Sequence, residues 1–318
     1  MRIVWNRGKR FGAMFFVVLI FLLGMFDCME VKAAGEVTTL EYDSREMLVR
    51  GAIIWPMEDT VLCNNQGKTI IEIPAGTPLK ALFEADGYFK VFYKKKIGLI
   101  DSSICMINLP DIMPDEMQYD ITNSYSSIYK IHGYDIEGVT GEVLYPYVKV
   151  DEDEYLVPLL YPVALKLYDA EMDALKQGYT LKVYDAYRPY AVTKEIFART
   201  LQFITDNPIY GDYMTEPVAG VCYGPNNFLA KSVSNHNYGV AVDITLVSLE
   251  SGEELQMQAP MHELSTRSVL TLNNENADKL AEIMTSNGFR GLASEWWHFE
   301  IRECRKSYAA FQVKPLEK

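Results

Sequence analysis

The chain has 318 residues, with 43 Asp and Glu against 30 Lys and Arg, which gives a net charge of -13. This length suffices for one large domain or two smaller ones, and the ordinary composition excludes collagen-like, repeat and disordered architectures. The acidic charge argues against nucleic acid and anionic lipid surfaces as partners, because both attract basic proteins.

The N-terminal segment has the pattern of an export signal. Four basic side chains within the first ten residues precede an apolar run from Gly12 to Phe26, which is short for a bilayer span. Val31 and Ala33 then supply the small residues that a signal peptidase requires. We therefore predict a signal peptide over residues 1–33, a linker over 34–46, and an exported or envelope-associated protein. The alternative is an uncleaved membrane anchor that carries a signalling ectodomain.

Residues 47–107 have the pattern of a small all-β domain. Phe89, Val91 and Tyr93 alternate along one predicted strand, and the segments 74–78 and 86–87 carry turn-forming Pro, Gly and Asp residues. The segments IPAGTPLKAL, DGYFKV and KKKIGLID resemble the bacterial SH3-like domains of exported cell-wall proteins. This resemblance implies a small barrel that binds a cell-wall polymer or positions the substrate, and the alternative is a purely structural appendage.

A linker rich in proline and acidic residues, predicted over 108–118, leads to a second domain over 119–312. Apolar residues at helical spacing predict one helix that ends near Gly178, a second from about Tyr190 to Phe203, and a third across 276–288. Three strands are predicted in the segments TLKVYDAYRP, GVAVDITLV and EWWHFEI. Together these elements predict an α+β domain with helices outside a sheet.

The predicted strand GVAVDITLV carries a carboxylate among small and apolar residues. Val240, Val242, Ile244 and Leu246 occupy one face of this strand, so Asp243 lies on the opposite face. An ionised carboxylate in such surroundings is costly unless a cation or several donors meet it. His236 precedes a glycine turn that can fold its imidazole toward the same space.

The segment SEWWHFE adds a second histidine and a further acid. Glu295 and His298 would point to opposite faces of a regular strand, so we expect a bend or bulge at Trp296 and Trp297. Two imidazoles and one carboxylate suit Zn²⁺ with its fourth position open to water. For each residue alone the alternative is an ordinary hydrogen-bonded core side chain.

Three motifs resemble those of the zinc D-Ala-D-Ala peptidases. They are S-x-H-x-x-G-x-A-x-D at residues 234–243, E-x-x-H at 295–298, and DAYRP at 185–189, which is similar to the D-alanyl-D-alanine dipeptidase branch of vancomycin resistance. The motifs occur in the family's order across nearly the whole second domain. The resemblance implies the zinc D-Ala-D-Ala peptidase fold, a central antiparallel sheet with flanking helices.

The resemblance also implies a role for each matched residue. His236, Asp243 and His298 would bind one zinc ion, Glu295 would be the general base, and Arg188 would stabilise the tetrahedral oxyanion. The residues expected to help hold Arg188 and the substrate are Asp185 and Ser234.

Two segments depart from the family pattern. The dipeptidases place an aspartate, in a segment of the form M-G-x-x-F-D, to receive the ammonium of the dipeptide, whereas the segment MQAPMHEL has His262 there, followed by Glu263. Either Glu263 receives the ammonium from the next position, or the pocket admits a longer peptide. The family's early substrate motif, R-Y-A-T-x-N-N-F, matches MQYDITNSYSS loosely, with Tyr119 at the position of its tyrosine.

The sequence therefore predicts an exported zinc dipeptidase for D-Ala-D-Ala. The closest alternative is a D,D-carboxypeptidase that trims peptidoglycan stem peptides, and an alternative of another class is a non-catalytic cell-wall-binding protein.

Four cysteines follow the predicted signal peptide. None lies in a C-x-x-C pair, so their spacing indicates neither a zinc knuckle nor a redox motif. Pairing within each predicted domain would join Cys63 to Cys105 and Cys222 to Cys304, and the alternative is four free thiols.

Overall fold

The architecture is taken from a computed structural model of the whole chain. It describes residues 48–120, 127–145, 149–151, 154–212, 217–218, 221–222, 230, 232–270, 273–307, 311 and 313–316. The predicted signal peptide and the linker that follows it lie outside the described residues. Within the described part of the chain, no helix has the length and apolar content that crossing a bilayer requires.

Residues 53–108 form seven antiparallel strands of one sheet. The strands are β1 (Ile53–Pro56), β2 (Thr60–Cys63), β3 (Thr69–Ile73), β4 (Leu79–Ala85), β5 (Tyr88–Tyr93), β6 (Lys96–Asp101) and β7 (Cys105–Asn108). Asp86 and Gly87 have positive φ angles and close the β4–β5 hairpin. The predicted alternation in β5 is confirmed, since Phe89 and Val91 are buried and Tyr88 and Phe92 are exposed. Kinship of this sheet with SH3-like domains stays a prediction.

An eighth strand joins this sheet to the residues that follow it. Strand β13 (Pro158–Leu160) pairs with β7, so the sheet has the order β13-β7-β1-β4-β5-β6-β2-β3. One compact unit spans Asp43–Lys318. The predicted domain boundaries stay predictions, but the hydrogen-bonded sheet extends across the predicted linker.

A second sheet of five strands forms the centre of the remaining chain. Its strands are β8 (Gln118–Tyr119), β14 (Tyr179–Asp185), β17 (Ala241–Ser248), β19 (Arg290–Leu292) and β20 (Glu295–Glu300), in the order β19-β20-β17-β14-β8. The long helices are α1 (Tyr161–Lys176), α2 (Tyr190–Asp206) and α4 (Glu275–Ser286), and α3 (Pro208–Asp212) is a single short turn. These bounds confirm the three predicted helices, the three predicted strands and the α+β class.

Short strand pairs occupy the connections between these elements. They are β9 (Lys130–Ile131) and β10 (Tyr134–Asp135) with β18 (Glu263–Leu264), then β11 (Lys149–Asp151) with β12 (Glu154–Tyr155), and β15 (Pro217–Val218) with β16 (Val221–Cys222).

Of the two alternatives for Cys63 and Cys105, a disulfide or free thiols, the structure confirms the free thiols. Both side chains are free thiols, and so is Cys304. Cys63 lies on β2 and Cys105 on β7. Four strands of the sheet, β6, β5, β4 and β1, lie between them. The side chain of Cys222 lies outside the described residues.

Candidate metal centre

The central sheet aligns three acidic or imidazole side chains in one row. Asp243 on β17 lies directly opposite Asp185 on β14 and opposite His298 on β20. Side chains directly opposite each other on neighbouring strands point to the same face of a sheet. The β14–β17 register shifts between Val183 and Asp185, and this irregularity brings Asp185 level with Asp243.

A single 3₁₀ turn, Asn235–Tyr238, presents His236 to this row. Ser234 and Asn237 form a capping box at its start, and Gly239 ends it with a φ of 64°. The backbone N–H of Arg188 donates to the carbonyl of His236 at 3.2 Å, which joins the turn to the loop after β14.

Three ligand-type atoms meet at one point. His236 Nε2 lies 3.2 Å from His298 Nδ1 and 3.4 Å from Asp243 Oδ1, and His298 Nδ1 lies 3.1 Å from Asp243 Oδ1. Donor atoms at the vertices of a tetrahedron around Zn²⁺, each about 2.0–2.1 Å from the ion, would be about 3.3 Å apart. All three residues are buried. The donor set and its spacing therefore fit a single zinc ion held by three side chains.

The second polar atom of each of these side chains is engaged elsewhere. His236 Nδ1 donates to the carbonyl of Ala186 at 2.7 Å, and His298 Nε2 donates to Glu300 Oε2 at 3.0 Å. Asp243 Oδ2 lies 3.0 Å from Nε2 of His262. Such partners orient metal ligands and fix the tautomers of ligating histidines.

The electrostatic surroundings favour the carboxylate form of Asp243. Burial alone would raise the pKa of Asp243, but the neighbouring imidazoles of His236, His262 and His298 hold it well below its ordinary value.

The predicted irregularity at Trp296 and Trp297 is confirmed. In the β19–β20 pair, Gly291 lies opposite Phe299 but Leu292 lies opposite Glu295, so β20 bulges between them. This bulge brings Glu295 Oε2 to 3.9 Å from His298 Nδ1. Burial, with a further contribution from the charge of Asp243, raises the pKa of Glu295 to about 8, although His298 and Arg188 oppose the rise. A carboxyl with a pKa near neutrality is suited to proton transfer.

Arg188 is a buried cation beside the row. Its Nη1 donates to Asp185 Oδ2 at 2.7 Å and to the Tyr129 hydroxyl at 3.2 Å, while Nε donates to Thr193 Oγ1 at 3.3 Å. Burial would lower the pKa of Arg188, but Tyr129, Asp185 and Asp243 outweigh it and raise the pKa. Arg188 is therefore a fixed positive charge next to the ligand atoms.

These groups line a cavity of about 220 Å³. Pockets for drug-sized ligands have about 300–1,000 Å³, so this cavity suits a small substrate or the end of a larger one. Its described lining includes the three ligand candidates, both predicted catalytic residues and Ser234, together with Tyr129, Thr193, Asn235, Leu292, Glu300, Arg302 and Arg305.

The comparisons with known proteins agree with this site. Residues 140–314 match the Peptidase_M15 family model, described as D-ala-D-ala dipeptidase. The chain belongs to this family. It is 30% identical to a D-alanyl-D-alanine dipeptidase of Enterococcus faecium over 166 residues, which are 48% of this chain and 79% of the relative. It is 35% identical to the Escherichia coli protein of the same name over 130 residues, 39% of this chain and 56% of that protein.

A solved structure titled "VanYB in complex with D-Alanine-D-Alanine" also matches. The match covers 53% of this chain and 78% of the solved chain, with 16% sequence identity and a TM-score of 0.31. A TM-score this low does not show that the two chains share a fold.

Peptidase_M15 membership confirms the predicted class of enzyme, and the matched segment contains every predicted site residue except Tyr119. The individual residue roles stay predictions, but the structure shows which residues meet. His236, Asp243, His298, Glu295, Arg188 and Ser234 line one cavity, and Asp185 contacts Arg188.

The other two predicted substrate contacts lie elsewhere. Among the described residues that line the cavity, the tyrosine is Tyr129 and not Tyr119, which lies on the edge strand β8 and has a buried hydroxyl. Glu263 is fully buried outside this lining, where it accepts hydrogen bonds from the backbone N–H of Gly133 and from Arg267. Neither side chain is among the described residues that line the cavity.

Three residues in or beside this candidate site were not assigned a role from the sequence. Glu300 lies two positions after His298, and alternate residues of a strand share one face. Strand periodicity could therefore have placed Glu300 beside His298. His262 marks a departure from the family pattern, but its contact with Asp243 depends on the fold. Nothing in the local sequence indicates that Tyr129 reaches Arg188.

Proposed function

We propose that this chain is an exported zinc peptidase that hydrolyses the D-Ala-D-Ala bond in cell-wall peptide metabolism. The proposal is carried by the convergence of His236, Asp243 and His298 within 3.4 Å of one another, beside Glu295 and Arg188. The family description and the names of the bacterial relatives support the choice of substrate. Export rests on the N-terminal sequence pattern alone.

Zinc in this site would supply a water of lowered pKa, near 7, and a Lewis acid for the substrate carbonyl. Glu295 takes a proton from the attacking water as its oxygen bonds to the carbonyl carbon, and delivers that proton to the amine nitrogen when the C–N bond breaks. Arg188 is held rigidly by Asp185 and Tyr129, so its charge faces the developing oxyanion without reorganisation.

One observation favours a stem peptide as a second candidate substrate. The described carboxylates that line the cavity are Asp243, Glu295 and Glu300, and Glu300 already binds His298, Asn235 and Arg302. His262, in place of the family's ammonium-binding aspartate, contacts Asp243. In a stem peptide the D-Ala-D-Ala unit has no free ammonium, because the peptide continues on its N-terminal side. A D,D-carboxypeptidase acting on such a peptide would therefore need no carboxylate at this position.

The deciding experiment measures D-alanine release from free D-Ala-D-Ala and from a pentapeptide stem ending in D-Ala-D-Ala. We expect release that stops on removal of metal with a chelator and returns when Zn²⁺ is added. A higher kcat/KM for the free dipeptide would indicate a dipeptidase, and a higher kcat/KM for the pentapeptide stem would indicate a D,D-carboxypeptidase. Undiminished release from metal-free protein would overturn the proposed mechanism.

A cell-wall polymer is the ligand that we propose for the sheet of residues 53–108. Phe92 and Ile97 are each 53% exposed and Tyr88 is 47% exposed, and solvent-exposed Lys94 lies on the same hairpin. Clustered exposed apolar side chains of this kind mark interaction surfaces. Sedimentation with purified peptidoglycan should fall in the double variant Phe92→Ser, Ile97→Ser, while D-alanine release from a small substrate stays unchanged.

A further inference from the structure

The metal centre contains a third histidine that supports the carboxylate ligand. His262 is fully buried immediately before β18, and its Nε2 lies 3.0 Å from Asp243 Oδ2. Its ring packs against the ring of Tyr129, with centroids 4.8 Å apart, and edge-on to Trp297 at 5.5 Å. These two aromatic side chains fix the plane of the imidazole.

The hydrogen bond between these two side chains has one direction. A carboxylate oxygen can only accept, so His262 Nε2 carries the hydrogen and donates it to Asp243. The other ring nitrogen, Nδ1, is buried and has no hydrogen-bond partner among the described residues. The contact with Asp243 is therefore the hydrogen bond that the His262 side chain makes within the described part of the chain.

This contact completes a pattern that includes all three ligand candidates. His236 is tied through Nδ1 to the carbonyl of Ala186, and His298 through Nε2 to Glu300. Asp243 is tied through Oδ2 to His262. In each case one atom of the side chain is bonded to the fold and the other atom faces the shared centre.

The carboxylate of Asp243 differs from the two imidazoles in the number of atoms that it can offer to one metal ion. It can coordinate a metal ion through one oxygen or through both. A donor on Oδ2 holds that oxygen away from the centre, so that only Oδ1 faces His236 and His298. One-oxygen coordination keeps three protein ligands and leaves the fourth tetrahedral position open, as a catalytic zinc site requires.

We propose that His262 is a positioning residue, which holds Asp243 in one-oxygen coordination and thereby keeps the fourth metal position open for water. The proposal rests on the proposed function insofar as the site must bind a divalent metal. Its chemical consequence is that loss of the Nε2–H donor weakens metal binding and changes the coordination geometry.

The test compares His262→Met with His262→Gln. The two replacement side chains are nearly the same in shape, but glutamine retains an N–H donor close to the position of Nε2. Because Nδ1 has no described partner, neither replacement removes a second hydrogen bond. His132→Met is the matched control, since His132 is exposed and, like His262, has a positive φ angle of about 50° (49° against 56°).

Two measurements are made on the full folded chain. One is the Zn²⁺ dissociation constant, by competition with a chelator of known affinity, and the other is the visible absorption of the Co²⁺-substituted protein. We expect His262→Met to bind Zn²⁺ about 10–100-fold more weakly, as for other partners of metal ligands. Its Co²⁺ bands should also weaken, because a two-oxygen carboxylate moves the ion away from tetrahedral geometry. His262→Gln and His132→Met should stay close to wild type.

The outcomes distinguish this proposal from the proposed function. A wild-type chain that takes up neither Zn²⁺ nor Co²⁺ would overturn the metal site and the role of His262 with it. Normal uptake by wild type, with the same affinity and spectrum in His262→Met, would overturn the role of His262 alone. If His262→Met fails to fold, His262→Gln decides: retained affinity and spectrum support the proposal, and their loss contradicts it.

Discussion

At the scale of single residues, the candidate site depends on which atom of each side chain is already engaged. The tautomers of His236 and His298 follow from hydrogen bonds to Ala186 and Glu300, which leave Nε2 of one and Nδ1 of the other free to coordinate. Glu295 differs from these ligand candidates, because it lies beside the centre and its raised pKa suits proton transfer.

The first prediction concerns Glu295. Replacing Glu295 by glutamine should reduce kcat/KM for D-alanine release by about 10²- to 10⁴-fold, because the proton acceptor is lost. Zinc content should stay the same, since the three ligand candidates are intact. The matched control is Glu303→Gln, at an exposed position in the same C-terminal segment. A variant with full activity would remove Glu295 from the role of general base.

At the scale of secondary-structure elements, the site is placed by irregularities in otherwise regular strands. Register shifts in the β14–β17 and β19–β20 pairs bring Asp185 and Glu295 to the row through Asp243 and His298. The turn that carries His236 ends at Gly239, where a side chain would meet the backbone of β13. Each of these local features sets the position of one side chain of the site, while the order of the strands in the sheet stays the same.

We expect Gly239→Ala to be unusually costly for a turn glycine. Its φ is 64°, and a Cβ there would lie 3.2 Å from the backbone nitrogen of Leu160. Gly252→Ala is the matched control, because its φ is 73° and nothing lies within 4 Å of its Cβ position. The control should lower the free energy of unfolding by about 1–2 kcal/mol, the cost of a left-handed backbone.

Urea denaturation should show a larger loss for Gly239→Ala than for this control. Zinc competition should show weaker binding, because the turn that presents His236 must shift. If both variants lose the same free energy of unfolding, then the close contact between the added Cβ and Leu160 does not contribute to the cost of Gly239→Ala.

A buried acid links helix α1 to strand β14 and makes the stability of that contact depend on pH. Glu171 accepts hydrogen bonds from the Thr180 hydroxyl at 2.6 Å and from the backbone N–H of Leu181 at 2.8 Å. Burial nevertheless raises the pKa of Glu171. The folded state thus favours the protonated acid, so this contribution to stability is present below the ordinary pKa of about 4.3 and is lost as pH rises through the raised value.

The Glu171→Gln variant should therefore gain stability relative to wild type as pH increases. Denaturant unfolding at about pH 4 and pH 8 measures this difference, with Glu282→Gln on the exposed side of α4 as the control. The control should follow the wild-type pH dependence. A Glu171→Gln curve parallel to wild type would show that Glu171 does not titrate differently in the folded chain.

At the scale of the whole molecule, the C-terminal tail joins the first sheet to the elements that carry the site. Trp55 Nε1 of β1 donates to the carbonyl of Lys314 at 2.9 Å, and the Tyr187 hydroxyl donates to the carbonyl of Phe311 at 2.6 Å. Val313 is fully buried, and its N–H donates to the Tyr145 hydroxyl at 2.9 Å. The tail therefore stabilises both parts of the unit together.

Removing residues 308–318 should destabilise the whole unit by several kcal/mol. Three hydrogen bonds contribute about 0.5–1.5 kcal/mol each and burial of one valine about 1.5–3 kcal/mol. Unfolding followed by tryptophan fluorescence and by circular dichroism should give one coincident transition at lower urea. Deletion of residues 317–318 alone removes none of these contacts and serves as the control, and a truncation as stable as this control would contradict the prediction.

The local sequence carried a large part of the fold and of the candidate site. Helical and strand periodicity predicted α1, α2, α4, β14, β17 and β20, because a buried face imposes its period on the chain. The ligand set followed from an inward acid and two histidines in recognisable motifs. The bulge in β20 could also be predicted, since Glu295 and His298 cannot share a face of a regular strand.

Contacts between distant segments were beyond that reasoning. The sequence alone determined the class of fold and the order of its main elements, because each depends on short-range periodicity, and its motifs indicated which three side chains would form the centre. Only the tertiary structure decided that Tyr129 and not Tyr119 reaches the cavity, that Glu263 is enclosed, and that His262 supports Asp243. Long-range packing sets these contacts, since it determines which loops lie side by side and which direction a buried side chain must take.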